Sequence, residues 1–459
     1  MKVNSNIFRE YDVRGVADRD LTDETVTLLG KSFGTMAGRK GLQDVLVGMD
    51  NRFSSPRLKS ALIKGLTSTG RRVVDLGTVV TPILYFARVN YGIEAAAMIT
   101  GSHNPPEDNG FKLALGPGTI YGETIQELRR LIEAGDFEKG EGEVSTADPV
   151  PAYAGMIREK ISLGPEKLKV AVDCGNGTAS YFAADLISAM GCEVLELYCQ
   201  PDPSFPNHHP DPVKRKNLTD LIEVVRKNEA HLGIAFDGDA DRLGVVDDSG
   251  EVIWGDQLMA IFWGEILPKY PGAPAIIEVK CSQTLVDEVT RLGGKPVFYR
   301  TGHSLIKAKM KELQAPFTGE MSGHIFFADE YYGYDDAFYA AGRLLRLLSN
   351  SREPLSAMVK RLPLYYSTAE TRIPCPDDEK FDVVKKLQDY FRDRNEVIDV
   401  DGVRVLFSDG WGLVRASNTQ PMLVARCEAK TPARLKEIGE TMKRALERYP
   451  QVSAFQWDY

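Results

Sequence analysis

V-L-V-G-M-D at residues 45–50 is an apolar run closed by an acid, and the segments after it decide the fold. A polar loop follows Asp50, then a stretch with helical spacing from Pro56 to Thr69, then Gly70 and a second apolar run, Val73 to Leu76. The same layout returns twice. Val170 to Val172 closes at Asp173 and leads through C-G-N-G-T-A-S and a helical stretch to Met190, Gly191 and the run Val194 to Tyr198. Ile276 to Val279 closes at Lys280 and leads through C-S-Q-T and a helical stretch to Leu292, Gly293, Gly294 and the run Val297 to Tyr299. A strand, a crossover helix and a second strand make a right-handed parallel unit. The pattern predicts three tandem α/β domains. Past residue 367 it changes to polar segments, a helix near Asp377 to Asn395, short strands around Gly402 to Leu413 and Met422 to Cys427, and a final helix, which predicts an α+β tail domain. The turn-rich stretches Gly140 to Pro151 and Asp247 to Gly250 place boundaries at 1–148, 149–250, 251–366 and 367–459. Gly175 to Gly177 lacks the third glycine of a dinucleotide fingerprint, where Ser180 stands, and reads as a helix-opening turn.

Between the apolar runs Leu232 to Phe236 and Leu243 to Val246 stands D-G-D-A-D-R, residues 237–242, which reads as a divalent-cation site on a tight β connection. Alternate side chains of an extended chain share one side, so Asp237, Asp239 and Asp241 are expected to converge while Gly238 and Ala240 leave space. Three oxygen donors without a nearby Cys or His favour Mg2+ or Ca2+ over zinc. A calcium loop of the EF-hand kind would need Gly at its sixth position and Glu at its twelfth, where the chain has Arg242 and Asp248.

A metal held by aspartates beside an arginine suits phosphate chemistry, since both offset charge on a phosphoryl oxygen. The phosphate acceptor is then sought in T-G-S-H-N-P-P-E-D-N-G-F-K, residues 100–112. Ser102 follows an apolar run and precedes Pro105 and Pro106, which forbid helix, so its hydroxyl is displayed at a strand end. His103 and Lys112 add proton-handling and cationic groups. Taken alone, the segment reads better as a self-satisfied Gly-Ser-Asn-Pro turn.

Together these segments resemble the α-D-phosphohexomutases. F-R-E-Y-D-V-R-G at 8–15, G-E-M-S-G-H at 319–324 and R-A-S-N-T-Q-P at 415–421 extend the likeness in the family's order across most of the chain. Met321, where phosphoglucosamine mutases more often carry Gln, resembles the phosphomannomutase/phosphoglucomutase branch. The resemblance implies four domains around a central cleft. It implies phosphate transfer between carbon 1 and carbon 6 of a mannose or glucose phosphate, with phosphoserine at Ser102 and glucose 1,6-bisphosphate as intermediate and activator. Mg2+ would be held by Asp237, Asp239, Asp241 and the Ser102 oxygen, and Arg242 would help hold the phosphoserine. Arg14, Lys112 and His324 would stand beside the phosphoserine as the catalytic cluster. Arg415, Ser417, Asn418 and Thr419 would grip the non-reacting phosphate, Glu320 and Ser322 would read sugar hydroxyls, and Tyr11, Lys280 and His303 would complete the substrate contacts. Histidines 208 and 209, in P-N-H-H-P, are read as solvated.

At 459 residues the chain exceeds one ordinary core. A net charge of −9 argues against nucleic acid, which needs a basic face. Six cysteines form no C-x-x-C pair and read as reduced thiols, and the N-terminus lacks a signal-peptide core. The expectation is a cytoplasmic protein, a monomer or weak dimer that touches neither nucleic acid nor membrane and has phosphosugars as partners. A phosphoserine-dependent sugar phosphatase and a catalytically silent sugar-phosphate binder are the rival readings; a serine hydrolase is excluded, because Ser102 lacks the G-x-S-x-G elbow.

Overall fold

A computed structural model describes residues 3–417 and 420–459. The chain forms two compact units, one running to Gly255 and adding Ser322–Met358, the other comprising Asp256–Met321 and Val359–Tyr459.

In the first unit, the run at 45–50 is the strand Asp44–Met49, lying in parallel between Arg72–Thr78 and Ala95–Ile99. Asp108–Ala114 pairs antiparallel with Ala95–Ile99 and with Val13–Val16, so Lys112 and Arg14 sit on neighbouring strands. All five residues of Ala95–Ile99 are buried, as expected of a central strand covered on both faces. The helices Asp23–Arg39 and Ser55–Thr67 supply Leu29, Phe33, Leu58 and Leu62 to the core beneath Val45, Val47 and Val73. The Gly140 to Pro151 stretch also carries an edge strand, Val144–Thr146, parallel to Arg72–Thr78.

A second sheet orders Val252–Ile253, Leu243–Asp247, Leu232–Phe236, Lys169–Asp173 and Glu193–Leu197. Its last three strands are parallel and the others antiparallel, which puts the acidic segment on the connection from Leu232–Phe236 to Leu243–Asp247. That connection is the tight β connection expected, but it is a turn with Ala240 left-handed at φ 57°, so the extended alternation expected to make the three aspartates converge is corrected.

In the second unit, Pro274–Glu278 and Lys295–Tyr299 form the third parallel pair around the helix Gln283–Arg291. The tail is an antiparallel sheet built on Met422–Ala429, Gly410–Ala416 and Val403–Phe407. Leu387 from the helix Lys380–Arg392, with Ile438 and Met442 from the helix Pro432–Leu446, packs against Val405, Val414 and Ala425. Three α/β units and an α+β tail therefore stand as the sequence pattern predicts. All six cysteines are buried free thiols, and no described helix is long and apolar enough to cross a membrane.

In the loop P-N-H-H-P, His209 is exposed but His208 is not solvated. Its side chain is 14% exposed, with Nε2 3.0 Å from Asp173 and Nδ1 2.9 Å from the His209 carbonyl. Burial alone would lower its pKa, but the Asp173 carboxylate, with Asp220 farther off, outweighs burial and raises it. A raised folded value stabilises fully below the unfolded value of about 6.5, and the contribution is lost as pH climbs through the folded value. His208→Asn is therefore expected to cost about 2 kcal/mol in urea unfolding at pH 6 and clearly less at pH 9; an equal loss at both would refute the charged pair.

Candidate active site

Ser102 is buried rather than displayed at a surface, and its backbone is left-handed at φ 49°. Two fastenings hold it there. The Asp50 carboxylate, closing the first strand, accepts from Gly101 N at 3.0 Å. The buried Arg52 guanidinium donates to the carbonyls of Ser102 (2.8 Å), Asn104 (2.6 Å), Asp108 (3.0 Å) and Pro105, with its Nε 3.2 Å from Asp50. One planar cation thus serves four carbonyls of an irregular loop whose own backbone bonds, Asn104 N to Gly101 and Asp108 N to Pro105, are few. Gly238 is required for a related reason: a Cβ there would collide with the Ser102 carbonyl.

The Ser102 hydroxyl donates to Asp237 Oδ2 at 2.8 Å and lies 3.1 Å from His103 Nδ1. Asp237, Asp239 and Asp241 are fully buried, and one oxygen of each lies within 4.8 Å of the others. Convergence comes from backbone grips on the turn. Asp237 Oδ1 accepts from the N–H groups of Asp241 and Arg242, both at 3.1 Å. The carbonyls of Gly238, Asp239 and Ala240 accept in turn from Thr178 N (3.0 Å), Thr81 N (3.0 Å) and Ala337 N (3.2 Å), each the first residue of a helix. Positive helix starts on three sides suit an acidic turn.

Lys112 is ion-paired to Asp239 at 2.6 Å and also to Asp241. Burial would lower its pKa, yet the two carboxylates hold it well above the usual lysine range. Burial, then Asp241 and Asp239, push the Asp237 carboxyl well above the ordinary carboxylate range, against the opposing pull of Arg242 and Lys112. Asp239 Oδ1 is buried with no hydrogen-bond partner among the described residues. An all-oxygen set with excess negative charge and an orphaned acceptor fits a hard divalent cation.

Around this turn Arg242 Nε donates to His324 Nε2 at 3.1 Å. The proton of a neutral His324 ring is thereby placed on Nδ1, which lies 3.2 Å from Asp335 and 3.6 Å from Asp241. Arg14 bonds Asp12 at 2.6 Å and Asn104 at 3.0 Å. Burial, followed by the positive charges of Arg242 and Arg14, keeps His103 well below its usual pKa, which reports how closely these groups gather. Tyr11 is half-buried in the turn between Phe8 and Val13, and Ser322 is half-buried within this unit.

The second unit gathers a separate set. Arg415 Nε is 3.0 Å from Asp401, which also accepts from Thr301 N at 3.1 Å. Thr301 Oγ1 donates to Glu278 at 2.8 Å, and Glu278 in turn is 3.2 Å from Lys280, itself 3.5 Å from Glu370. Burial works against the Lys280 charge, but Glu278 and Glu370 keep its pKa raised. Glu320 accepts from Gly302 N at 2.8 Å, and His303 opens the adjoining helix, half-buried. The buried Lys380 donates to the carbonyls of Ser417 (2.5 Å) and Gln420 (3.0 Å). Asn418 and Thr419 lie outside the described residues.

With this geometry in hand, comparison with known proteins is decisive. Residues 5–139, 151–250 and 254–366 match phosphoglucomutase/phosphomannomutase alpha/beta/alpha domains I, II and III, and residues 370–445 match the C-terminal domain of the same family. The chain belongs to the phosphoglucomutase/phosphomannomutase family. It is 45% identical to a phosphomannomutase/phosphoglucomutase of Pseudomonas aeruginosa, over 96% of each chain, and 42% identical to a phosphoglucomutase of Neisseria gonorrhoeae, over 98% of each. A solved phosphoglucomutase/phosphomannomutase family protein of Burkholderia thailandensis superposes with a TM-score of 0.93 at 40% identity, covering 98% of this chain and 99% of its own. The protein is thus a phosphohexomutase, an isomerase that transfers phosphate.

Sequence reading missed Arg52, Thr81, Asp335, Glu278, Asp401 and Lys380; the only signal for some of them is position at the close of a parallel strand. Arg52→Lys is expected to leave buried carbonyls unpaired and cost about 2–4 kcal/mol. Hydrogen exchange should then rise at amides 101–108 while the strand Leu232–Phe236 stays protected; unchanged exchange in the loop would show that Arg52 does not hold it.

Proposed function

We propose that this phosphohexomutase moves phosphate reversibly between carbon 1 and carbon 6 of mannose and glucose phosphates, through phosphoserine at Ser102 and a hexose 1,6-bisphosphate intermediate. The observation that carries the reading is the Ser102 hydroxyl seated 2.8 Å from Asp237 in the acidic turn. Mg2+ suits the donor set of Asp237, Asp239, Asp241 and the Ser102 oxygen. When bound, the cation supplies charge that offsets the charge on the transferring phosphoryl group.

The chain's own residues supply the rest. A sugar hydroxyl oxygen bonds to phosphorus as the bond from phosphorus to the Ser102 oxygen breaks, and the hydroxyl proton passes to an imidazole of the cluster, His103 or His324, while the cations Arg14 and Lys112 offset charge beside it. Arg242 holds the phosphoserine while orienting His324 through its Nε bond. The bisphosphate then turns and returns its other phosphoryl to Ser102, with glucose 1,6-bisphosphate serving to prime the enzyme. Arg415, Ser417, Asn418 and Thr419 bind the phosphate that does not react; Glu320 and Ser322 take sugar hydroxyls, and Lys280, His303 and Tyr11 flank them. The four domains are drawn at 1–148, 149–250, 251–366 and 367–459, and the setting is a cytoplasmic monomer or weak dimer.

Peptide mass spectrometry tests the central step. After incubation with glucose 1,6-bisphosphate, the 100–112 peptide is expected to carry one phosphate, on Ser102; an unmodified peptide would sink the phosphoserine mechanism. Arg415→Ala is expected to lose a charge-assisted phosphate grip worth about 2–4 kcal/mol in kcat/KM, mainly through KM. Native kinetics in that variant would remove Arg415 from substrate binding.

A further inference from the structure

Thr81 opens the helix Thr81–Tyr91 ahead of Pro82, a place where a threonine ordinarily serves its own helix. Here the residue before it, Val80, has no capping side chain, and both polar groups of Thr81 point at one partner. The backbone N–H donates to the Asp239 carbonyl at 3.0 Å, and Oγ1 donates to Asp239 Oδ2 at 2.5 Å. Thr81 has no exposed surface, so no water competes for these bonds.

The two oxygens of Asp239 are consequently unlike. Oδ2 takes Thr81 Oγ1 and, at 2.6 Å, Lys112 Nζ, whereas Oδ1 is buried without a hydrogen-bond partner among the described residues. A carboxylate pinned by two donors on one oxygen cannot rotate, and its other oxygen is presented in a fixed direction. Lys112 cannot do this alone, because it also serves Asp241. Its flexible stem sets charge better than angle, while the short hydroxyl arm of a helix-bound threonine sets angle.

We propose that Thr81 is a positioning residue that aims Asp239 Oδ1 at the divalent cation of the acidic turn. The proposal rests on the reading that Asp237, Asp239 and Asp241 hold that cation, and it assigns a new member to the set behind them. Removing the hydroxyl should free the carboxylate to rotate or to share both oxygens with Lys112, and the turn should bind metal less tightly. Outer hydrogen-bond partners of metal ligands typically change affinity by about tenfold or more.

Mn2+ alone is the probe, with free ion counted by its electron paramagnetic resonance signal against purified full-length chain, so that no turnover is involved. Thr81→Val, which keeps shape, and Thr81→Ala are both expected to bind Mn2+ about tenfold more weakly than the native chain, while Thr81→Ser recovers binding to within about twofold. Should Val prove insoluble, Ala against Ser makes the same comparison. Native affinity in the Val or Ala variant, or Ser binding as weakly as Ala, overturns the role of Thr81 and leaves the metal reading standing. A native chain that binds no Mn2+ overturns both.

Discussion

Three buried carboxylates on a single turn are the constraint around which the first unit is organised. Like charges deprived of water repel strongly, and a fold containing them must supply donors and cations in fixed places. Lys112 gives the cation, Asp237 takes two backbone N–H groups of its own turn, and three successive carbonyls are tied to the first residues of three helices. Those helices belong to different stretches of sequence, beginning at Thr81, Thr178 and Ala337, so the bonds of the turn are complete only with all three segments docked around it.

Acids at the close of parallel strands perform a parallel service. Asp50 anchors the loop that carries Ser102, Asp173 anchors the loop of His208, and Glu278 anchors both Thr301 and, at 2.9 Å, the N–H of Met321. In each of the three cases the strand is regular and the loop after it irregular, and a carboxylate at the junction offers acceptors to stray N–H and O–H groups. The repeated layout of the chain is therefore also a repeated way of fastening loops.

The strands and helices of the three α/β units were readable because apolar runs, helical spacing and glycine punctuation are local signals. The acidic segment was readable as composition and as a tight connection between strands, though not in its backbone path. Extended alternation predicts convergence of Asp237, Asp239 and Asp241, but the convergence arises from a left-handed Ala240 and from bonds to distant segments. Arg52 and Thr81 left little trace because, Asp50 apart, their partners are carbonyls, or a carboxylate, 50 to 158 residues away. His208 misled for the same reason: a proline-rich polar loop looks solvated unless Asp173 is known to lie against it.

The backbone at Ser102 bears on which amino acid can occupy that position at all. At φ 49° the residue sits in the left-handed region, where a branch at Cβ crowds the backbone and stiffens χ1 into unsuitable rotamers. Threonine offers the same hydroxyl chemistry but carries that branch, and glycine accepts the conformation but carries no hydroxyl. Serine alone combines the two properties with a side chain short enough to meet Asp237. The choice of alcohol at this position is thus set by the shape of the main chain.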